Sequence, residues 1–479
     1  MVYKLTSKVD SNQRIIQRKF FAKEKTIMEE DRVRFICKRT VVSTRSIEPG
    51  RLYQLSVLDH VMEPNHIRLV YYYRCSKTRE PGEITKKLRE SLAYTLNCYP
   101  IVTGRLVKEV DGMEENKDLS QRWMVKSNDA GVRMVEARAT GSVKEWLRSV
   151  NREEELKLVH WEDMYHLQYY WSTFCVQVTE FESGGLAIGL SCSHLLADPV
   201  CAMMFIRAWA DLTLSRSMMA PPLFHPLPPR RFSNQRLISN NQLLSHYIKS
   251  CSLTASPSNM TEDHMVTVTF LFPDPLVRAG ENEPRISTFE ILAGLFWVCV
   301  SRAKGKRNEL MDMSLCLDVR KLLRLDQSYF GNCMVYHKVP YSKPVKTKDE
   351  LLFHAVQEIE SITKRLDYDT VMDLIEWLSS NNGAISNGSD LVCTNLENMS
   401  HSRPMMFEED LALSHVSCYV EGPVAGGGQV IVLPSPPGKE PMSRVVMVSL
   451  PQRVMVKVIE DELLLSFSPV VIMEDTKQL

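Results

Sequence analysis

A proline-rich segment close to the middle of this 479-residue chain most constrains how the chain can fold. From Ala220 to Arg230 it holds five prolines in eleven residues. Proline removes backbone donors and favours extended chain, so the segment is typical of a semi-rigid linker. At roughly 100–200 residues per domain, two large domains are the simplest division of the chain. We therefore predict an N-terminal domain over residues 28–215, a linker over residues 216–242 and a C-terminal domain over residues 243–479.

Both sides of the linker alternate strands with helices. Before it, β-branched and aromatic residues predict a strand over Phe174–Phe181, and apolar residues at helical spacing predict a helix that starts near Pro199. After it, the same criteria predict a helix over Phe289–Val300 and a strand over Met313–Val319. This mixture predicts an α/β (α+β) protein.

The N-terminal segment differs in composition from the rest of the chain. Residues 1–27 are polar and basic, and Met28 with the acidic residues after it resembles a start in its own right. We expect residues 1–27 to be a disordered or artefactual tail. No apolar run follows Met1, so we predict no signal peptide. The longest nearly apolar stretch, Ile291–Val300, is far shorter than the ~18 residues that a transmembrane segment needs, so we predict none.

Charge and cysteine usage narrow the class of protein. The chain has 58 basic and 58 acidic residues, whereas nucleic-acid binders usually carry a basic surplus. Its twelve cysteines lie singly between Cys37 and Cys418 without any C-x-x-C, the paired spacing that zinc sites and redox motifs need. We expect a monomeric cytoplasmic protein with reduced cysteines, no bound metal and no nucleic-acid partner.

The segment from Gly189 to Asp198 is the most informative for chemistry. It predicts a strand that ends at His194 and a helix that begins four or five residues later. A histidine there can project between domains and take a proton from an attacking hydroxyl or amine. Asp198 can either orient the imidazole or face away and hold the loop. Spacing alone also fits a core histidine beside a helix-capping aspartate, because H-x-x-x-D is short and frequent by chance.

Five blocks occur in the order found in one family. They are Tyr99–Arg105, Asn128–Val132, His194–Asp198, Thr288–Trp297 and Tyr329–Asn332. With them the chain resembles the BAHD acyltransferases of plants, which move acyl groups from coenzyme A thioesters to alcohols or amines. The resemblance covers about residue 34 to the C terminus.

The resemblance implies a fold and a site. The fold is two chloramphenicol-acetyltransferase-like domains, each a mixed sheet with helices, and a channel between them from which His194 is reachable at both mouths. His194 is the implied general base, acyl-CoA is the implied co-substrate, and no cofactor is bound. Asp198 is implied to be structural support, paired with an arginine of a D-x-R segment. Asp318–Arg320 matches that segment, so we predict an ion pair between Asp198 and Arg320.

Two departures from the family pattern matter. Pro199 stands where the family usually has glycine. The D-F-G-W-G motif near the C terminus is missing, and Ala412–Val416 stands there by position. In relatives that motif shapes the channel without transferring protons, so its loss questions ordinary catalysis. We expect His415, within this segment, to be a surface or packing residue.

The chain resembles the eceriferum/glossy subgroup of cuticular wax synthesis more closely than typical family enzymes. The closer likeness lies in Asn128–Ala137, Val178–Ser191 and Thr394–Leu396. The subgroup's implied role is in very-long-chain fatty acid elongation, beside the condensing enzyme of the endoplasmic-reticulum elongase. Two hypotheses follow: an accessory protein of elongation, held at the endoplasmic reticulum by its partner, or an acyl-CoA-dependent O- or N-acyltransferase that uses His194. A channel that is blocked near His194, together with an exposed apolar patch, favours the first hypothesis. An open path to His194 with a basic mouth favours the second, because the phosphates of coenzyme A attract lysine and arginine.

Overall fold

The computed structural model describes most of the chain, in the ranges 31–45, 47–75, 79–108, 122–162, 172–230, 241–252, 264–275, 286–306, 309–340, 348–381, 389–397, 405–436 and 438–473. The predicted tail, residues 1–27, lies outside the described residues, as do residues 231–240 of the predicted linker.

The described strands are numbered in chain order. They are β1 Val33–Val41, β2 Leu52–Gln54, β3 His66–Cys75, β4 Arg105–Lys108, β5 Trp123–Lys126, β6 Val132–Ala139, β7 Phe174–Phe181, β8 Leu186–Ser193, β9 Met265–Phe272, β10 Met313–Asp318, β11 Met334–Val339, β12 Leu391–Asn395, β13 Leu411–Glu421, β14 Gln429–Leu433, β15 Arg444–Pro451 and β16 Val470–Met473.

The described α-helices are numbered in the same way. They are α1 Val57–Val61, α2 Glu83–Leu96, α3 Pro100–Thr103, α4 Val143–Ser149, α5 Arg152–Leu156, α6 Pro199–Ser215, α7 Gln242–Ser252, α8 Thr288–Ala303, α9 Lys348–Arg365, α10 Tyr368–Ser380, α11 Gln452–Ile459 and α12 Glu462–Ser466. Among the residues described, no helix combines the length and the apolar character that crossing a membrane requires.

Two large mixed sheets organise the chain. The first has the strand order β1-β6-β7-β8-β3-β13, with β6 and β7 parallel and the other pairs antiparallel. The second has the order β11-β10-β12-β14-β15-β9-β16, in which β12 runs parallel to both β10 and β14. A small sheet, β2-β5-β4, accompanies the first. The predicted mixture of sheets and helices in a two-domain fold is confirmed.

Strand β13 crosses from the second half of the chain into the first sheet. It pairs with β3 in antiparallel register from Leu411 opposite Cys75 to Glu421 opposite His66. The chain then returns to the second sheet at β14. Among the described strands, β13 is therefore the one that follows the linker in sequence but belongs to the first sheet.

Local sequence explains the elements that position the site. The strand predicted over Phe174–Phe181 has those bounds in β7, and the predicted helix near Pro199 is α6. Helix α8 extends the predicted Phe289–Val300 by one residue before and three after, because Ser287 and Glu290 form a reciprocal capping box at its start. Both α6 and α8 are buried along most of their length, so each packs against other elements on most of its faces.

Candidate active site

His194 lies directly after β8, at the point where the two sheets meet. Its backbone N–H donates to the carbonyl of Asn65 at 2.9 Å, and its carbonyl accepts from the Asn332 side-chain amide at 2.7 Å. Asn65 precedes β3 of the first sheet, and Asn332 precedes β11 of the second. The main chain of His194 is therefore fixed from both halves of the protein.

The imidazole of His194 is fully enclosed. The residue has 0% solvent exposure, and neither ring nitrogen makes a hydrogen bond of ordinary geometry within the described part of the chain. The expectation that His194 is reachable from both mouths of a channel is wrong for this conformation. His194 lies at the end of β8, where hydrogen bonds with Asn65 and Asn332 fix its main chain from both sheets, and its side chain is buried there.

Burial sets the protonation of this ring. Desolvation lowers the pKa of His194 below its usual value, opposed by the negative charge of Asp198 and by the nearby Asn332 side chain. The net direction is downward, so the ring is neutral at pH 7. A neutral imidazole is the form that can accept a proton.

Asp198 faces away from the imidazole and holds the loop. Its Oδ1 accepts from the backbone N–H of Cys201 at 2.8 Å, which caps α6. Its Oδ2 accepts from the backbone N–H of Cys333 at 2.9 Å. The predicted ion pair is present, with Arg320 Nη2 at 2.8 Å from Oδ2 and 3.0 Å from Oδ1. Of the two alternatives for Asp198, the structure therefore shows the loop-holding one, together with the capping role.

Pro199 fits this arrangement without cost. It occupies the first turn of α6, where a backbone donor has no helical partner and a fixed φ is already suited to the helix. The preceding Asp198 has φ −86° and ψ 173°, the extended conformation that a residue before proline prefers. The departure from the family's glycine thus leaves the capping geometry intact.

The Tyr329–Asn332 block holds the arginine of the ion pair. Arg320 donates to the carbonyls of Gly331 at 2.8 Å and Tyr329 at 3.3 Å, and its Nη1 lies 3.1 Å from Asp318 Oδ1. Burial lowers the pKa of Arg320, but the charge of Asp198 raises it, and the net shift is upward. The guanidinium is therefore charged and locked in place.

Sequence reasoning missed Asp59, which joins the two halves beside His194. Asp59 is buried in α1, and its Oδ1 accepts from both the backbone N–H and the side-chain amide of Asn332, at 2.8 and 2.7 Å. Its Oδ2 accepts from the N–H of Ser56 and completes a capping box. The Ser56-x-x-Asp59 spacing is the sequence pattern that marks Asp59, but it predicts only the start of a helix.

Two further family blocks are structural. Arg105 is buried and donates to four main-chain carbonyls, those of Gly104 at 2.9 Å, Gly131 at 2.8 Å, Ala130 at 2.8 Å and Thr103 at 3.4 Å. Burial lowers the pKa of Arg105 to about 10, which leaves it charged. Gly131 has φ +74°, and a Cβ there would lie 2.4 Å from the carbonyl of Val41. Arg105 of the first block therefore clamps the turn at Ala130–Gly131 of the second block.

His415 is a packing residue, one of the two alternatives expected for it. It is buried in β13, stacks on Tyr72 with ring centroids 6.0 Å apart, and its Nε2 lies 3.2 Å from Ser417 Oγ. Burial lowers its pKa to about 4. The segment that replaces D-F-G-W-G is thus part of β13, where the pairing with β3 shifts register between Leu413 and His415.

A buried carboxyl on α5 fastens the same strand. Glu155 is fully buried and accepts from the Tyr72 hydroxyl at 2.8 Å and from the Tyr419 hydroxyl. Burial raises its pKa, against the hydrogen bonds it accepts. Because Tyr419 is on β13 and Tyr72 on β3, this carboxyl ties α5 to both strands. No sequence pattern singled it out.

Glu421, at the end of β13, gathers three basic side chains. Its carboxylate lies 2.7 Å from His66 Nε2, 3.0 Å from Arg68 Nε and 2.7 Å from Arg152 Nη2. Burial alone would raise the pKa of Glu421, but these partners lower it to about 2. Arg152 also donates to Thr267 of the second sheet at 3.3 Å, so the cluster bridges the two sheets. Within the described residues, no group of histidine, cysteine and acidic side chains is arranged to hold a metal ion.

Comparisons with known proteins agree with this architecture. The chain is similar to rosmarinate synthase of Plectranthus scutellarioides, at 26% identity over 71% of this chain and 78% of that protein. It is similar to Protein ECERIFERUM 26-like of Arabidopsis thaliana, at 24% identity over 86% of this chain and 91% of that protein. The crystal structure of vinorine synthase matches with a TM-score of 0.64 and 16% identity, over 93% of this chain and 100% of that chain.

A family model decides the assignment. The model described as the Transferase family matches residues 32–464, which is most of the chain. The structure of TRI101 of F. graminearum in complex with ethyl coenzyme A also shares the fold, with a TM-score of 0.62, 14% identity, and coverage of 88% of this chain and 100% of that chain. The chain therefore belongs to the Transferase family, the BAHD acyltransferases.

Proposed function

We propose that this protein serves very-long-chain fatty acid elongation for cuticular wax, as a BAHD-fold accessory of the elongase condensing enzyme. The observation that carries the proposal is the complete enclosure of His194. An acyltransferase must bring a thioester and an acceptor to its base, whereas an accessory protein needs no path to that residue. The likeness to Protein ECERIFERUM 26-like supports the same role.

The C-terminal segment supports the proposal independently. The motif that shapes the channel of relatives is replaced here by β13, whose His415, Ser417 and Tyr419 are buried against β3 and α5. Such a strand is fixed by packing and hydrogen bonds on the first sheet. It contributes rigidity rather than a substrate wall.

Acyl transfer at His194 is the second candidate, and the Asp198–Arg320 ion pair favours it. That pair holds the loop of a neutral imidazole, the state that a base requires. In the transfer step the acceptor oxygen or nitrogen bonds to the thioester carbonyl carbon as its proton passes to the ring. The carbon–sulfur bond then breaks, and the coenzyme A thiolate leaves with that proton. Acyl-CoA is the co-substrate, and the enclosed ring requires the two sheets to part first.

The proposed place of action is the cytoplasmic face of the endoplasmic reticulum. The elongase condensing enzyme is the proposed partner that holds the protein there, since no described helix is suited to cross the membrane. Acyl-CoA is the proposed small-molecule ligand in either candidate function, as coenzyme A is for TRI101.

The test is co-expression in yeast with a plant condensing enzyme, followed by fatty-acid chain-length analysis. The chain is expressed as wild type, as His194→Ala and as His415→Ala. His415→Ala is the matched control, because it removes a second buried histidine outside the H-x-x-x-D segment. Abundance and thermal unfolding of each variant are measured in parallel.

Each outcome assigns one function. Longer products with wild type and with both variants establish the accessory role. Longer products that disappear only with His194→Ala, at normal abundance, establish chemistry at His194. No lengthening with any of them refutes the elongation role and directs assays to alcohol and amine acceptors.

A further inference from the structure

A basic cavity of about 590 Å³ lies at the second sheet, away from His194. The end of α8, the turn before β14 and the start of α11 form its walls, with Lys304, Gly426, Gly427, Arg453 and Lys457 among the lining residues. This volume falls within the range of small-molecule sites in proteins.

The cavity and the His194 site lie at opposite ends of the strands of the second sheet. Strands β10, β12 and β14 are neighbours in this sheet, and β12 runs parallel to both of the others. Gly427 precedes β14, at the amino ends of these strands, whereas Arg320 follows β10, at their carboxyl ends. Because these strands are five or six residues long, their two ends lie roughly 16–20 Å apart. The cavity is therefore not an extension of the site around His194.

All charged side chains among its described lining residues are cationic. They are Lys304, Arg453 and Lys457, and the lining includes no aspartate or glutamate. Lys304 and Lys457 donate to main-chain carbonyls, those of Asp390 and Ala303, at 3.4 Å each. Neutral carbonyls at that distance compensate a lysine charge only weakly. Positive charge concentrated in a concave site attracts anions.

Burial and two neighbouring charges act on the pKa of Lys304. Burial lowers its pKa, the nearby positive charge of Arg453 lowers it further, and Asp390 opposes both. The net direction is downward because burial is the largest of these effects, and the opposite charge of Asp390 acts more strongly than the like charge of Arg453. An anion in the cavity would raise the pKa of this ammonium group.

The main chain at the start of α11 also favours an anion in the cavity. Helix α11 begins at Gln452, and Pro451 supplies no side-chain cap to its first turn, which lines the cavity. The amino end of a helix carries partial positive charge and readily accepts a phosphate. The lining also includes Gly426 and Gly427, and a Cβ on Gly427 would lie 3.0 Å from the carbonyl oxygen of Asp390, so the main chain is closely packed there.

We propose that this cavity binds a phosphate group, carried either by a soluble phosphomonoester or by a lipid headgroup. The proposal rests on the cavity, its three cationic side chains and the adjoining helix end, and is independent of the function proposed for His194. A single phosphate fills only part of 590 Å³, so the ligand is a larger molecule that presents a phosphate to Lys304, Arg453 and Lys457.

The first test is calorimetric titration of the full-length protein. The probes are inorganic phosphate, glycerol 3-phosphate, and phosphatidylcholine vesicles with and without phosphatidic acid. We expect saturable binding of at least one phosphate probe and a loss of about tenfold or more in affinity in the variant K304Q/K457Q. The matched control is Lys338→Gln, an exposed lysine outside the cavity that pairs with Asp312, and it should bind as wild type does. Binding of glycerol 3-phosphate identifies a soluble ligand, and binding only of vesicles with phosphatidic acid identifies a lipid headgroup.

A second measurement does not depend on variants. Acetylation of lysines in the wild-type protein is mapped by mass spectrometry with and without the probe. Protection of Lys304 and Lys457, with Lys338 unchanged, is expected. Absence of binding by every probe, equal affinity of K304Q/K457Q and wild type, or protection that does not include the cavity lysines overturns the proposal.

Discussion

Replacing Asp198 by asparagine tests the central claim about the site, that this carboxylate holds the loop. The side chain is fully buried and accepts from Arg320 and from the backbone N–H groups of Cys201 and Cys333. Asparagine keeps the shape but loses the charge, and its amide group faces donors. Arg320 is then a buried cation whose remaining acidic partner, among the described residues, is Asp318.

The expected cost follows from that geometry. Removing one partner of a buried ion pair typically costs 3–5 kcal/mol of unfolding free energy, so about 3 kcal/mol is expected here, because Asp318 retains part of the compensation. This is a large share of the roughly 5–15 kcal/mol that separates folded from unfolded domains.

The assay is urea unfolding of Asp198→Asn, Arg320→Met and the double variant. The two single variants break the same interaction. The double variant should therefore lose at least about 2 kcal/mol less unfolding free energy than the sum of the losses in the two single variants. The matched control is Asp312→Asn, which breaks an exposed pair with Lys338 and should cost less than about 1 kcal/mol. An Asp198→Asn variant as stable as Asp312→Asn would refute the reasoning.

Three further predictions follow from other contacts. Glu421→Gln should destabilise the protein by at most about 3 kcal/mol near pH 7. Because the pKa of Glu421 in the folded protein, about 2, lies below its unfolded value, the stability difference from wild type should shrink as pH falls from about 5 towards 2. Thermal unfolding scans measure this difference, and a difference that does not change with pH would contradict the cluster around Glu421. Arg105→Lys should cost about 1–3 kcal/mol in urea unfolding, because an ammonium group with three donors cannot serve all four carbonyls, and a neutral effect would contradict the clamp. Gly189→Ala should reduce the yield of folded protein measured by circular dichroism and gel filtration, because a Cβ would lie 2.1 Å from the carbonyl of Leu158; normal yield and stability would contradict this contact.

Local patterns predicted much of the fold. The strand over Phe174–Phe181 and the helix from Pro199 depend on residue type and short spacing, which act within a few residues. The Asp198–Arg320 pair was predicted as well, because the family resemblance located both motifs that supply its charges. In these cases the decisive interactions are either local or marked by a recognisable short motif.

Long-range contacts were the part that sequence could not supply. The hydrogen bond from Asn332 to Asp59 joins residues 273 positions apart, and the alternation of β13 does not say which strand it pairs with. The enclosure of His194 depends on how two separate sheets meet, which no local periodicity encodes. Glu155 escaped notice for the same reason, since its tyrosine partners come from two distant strands.

The crossing of β13 has a consequence for synthesis and for engineering. During translation the edge of β3 stays unpaired until residue 421 has left the ribosome, although β3 itself ends at Cys75. An open edge of this kind recruits other strands, so a fragment that stops at the proline-rich linker should aggregate when expressed alone. Supplying the remaining half in trans should restore solubility only if that half includes Leu411–Glu421. The two halves are thus complementary fragments of one folding unit, and a swap of halves between relatives must carry β13 with its own β3.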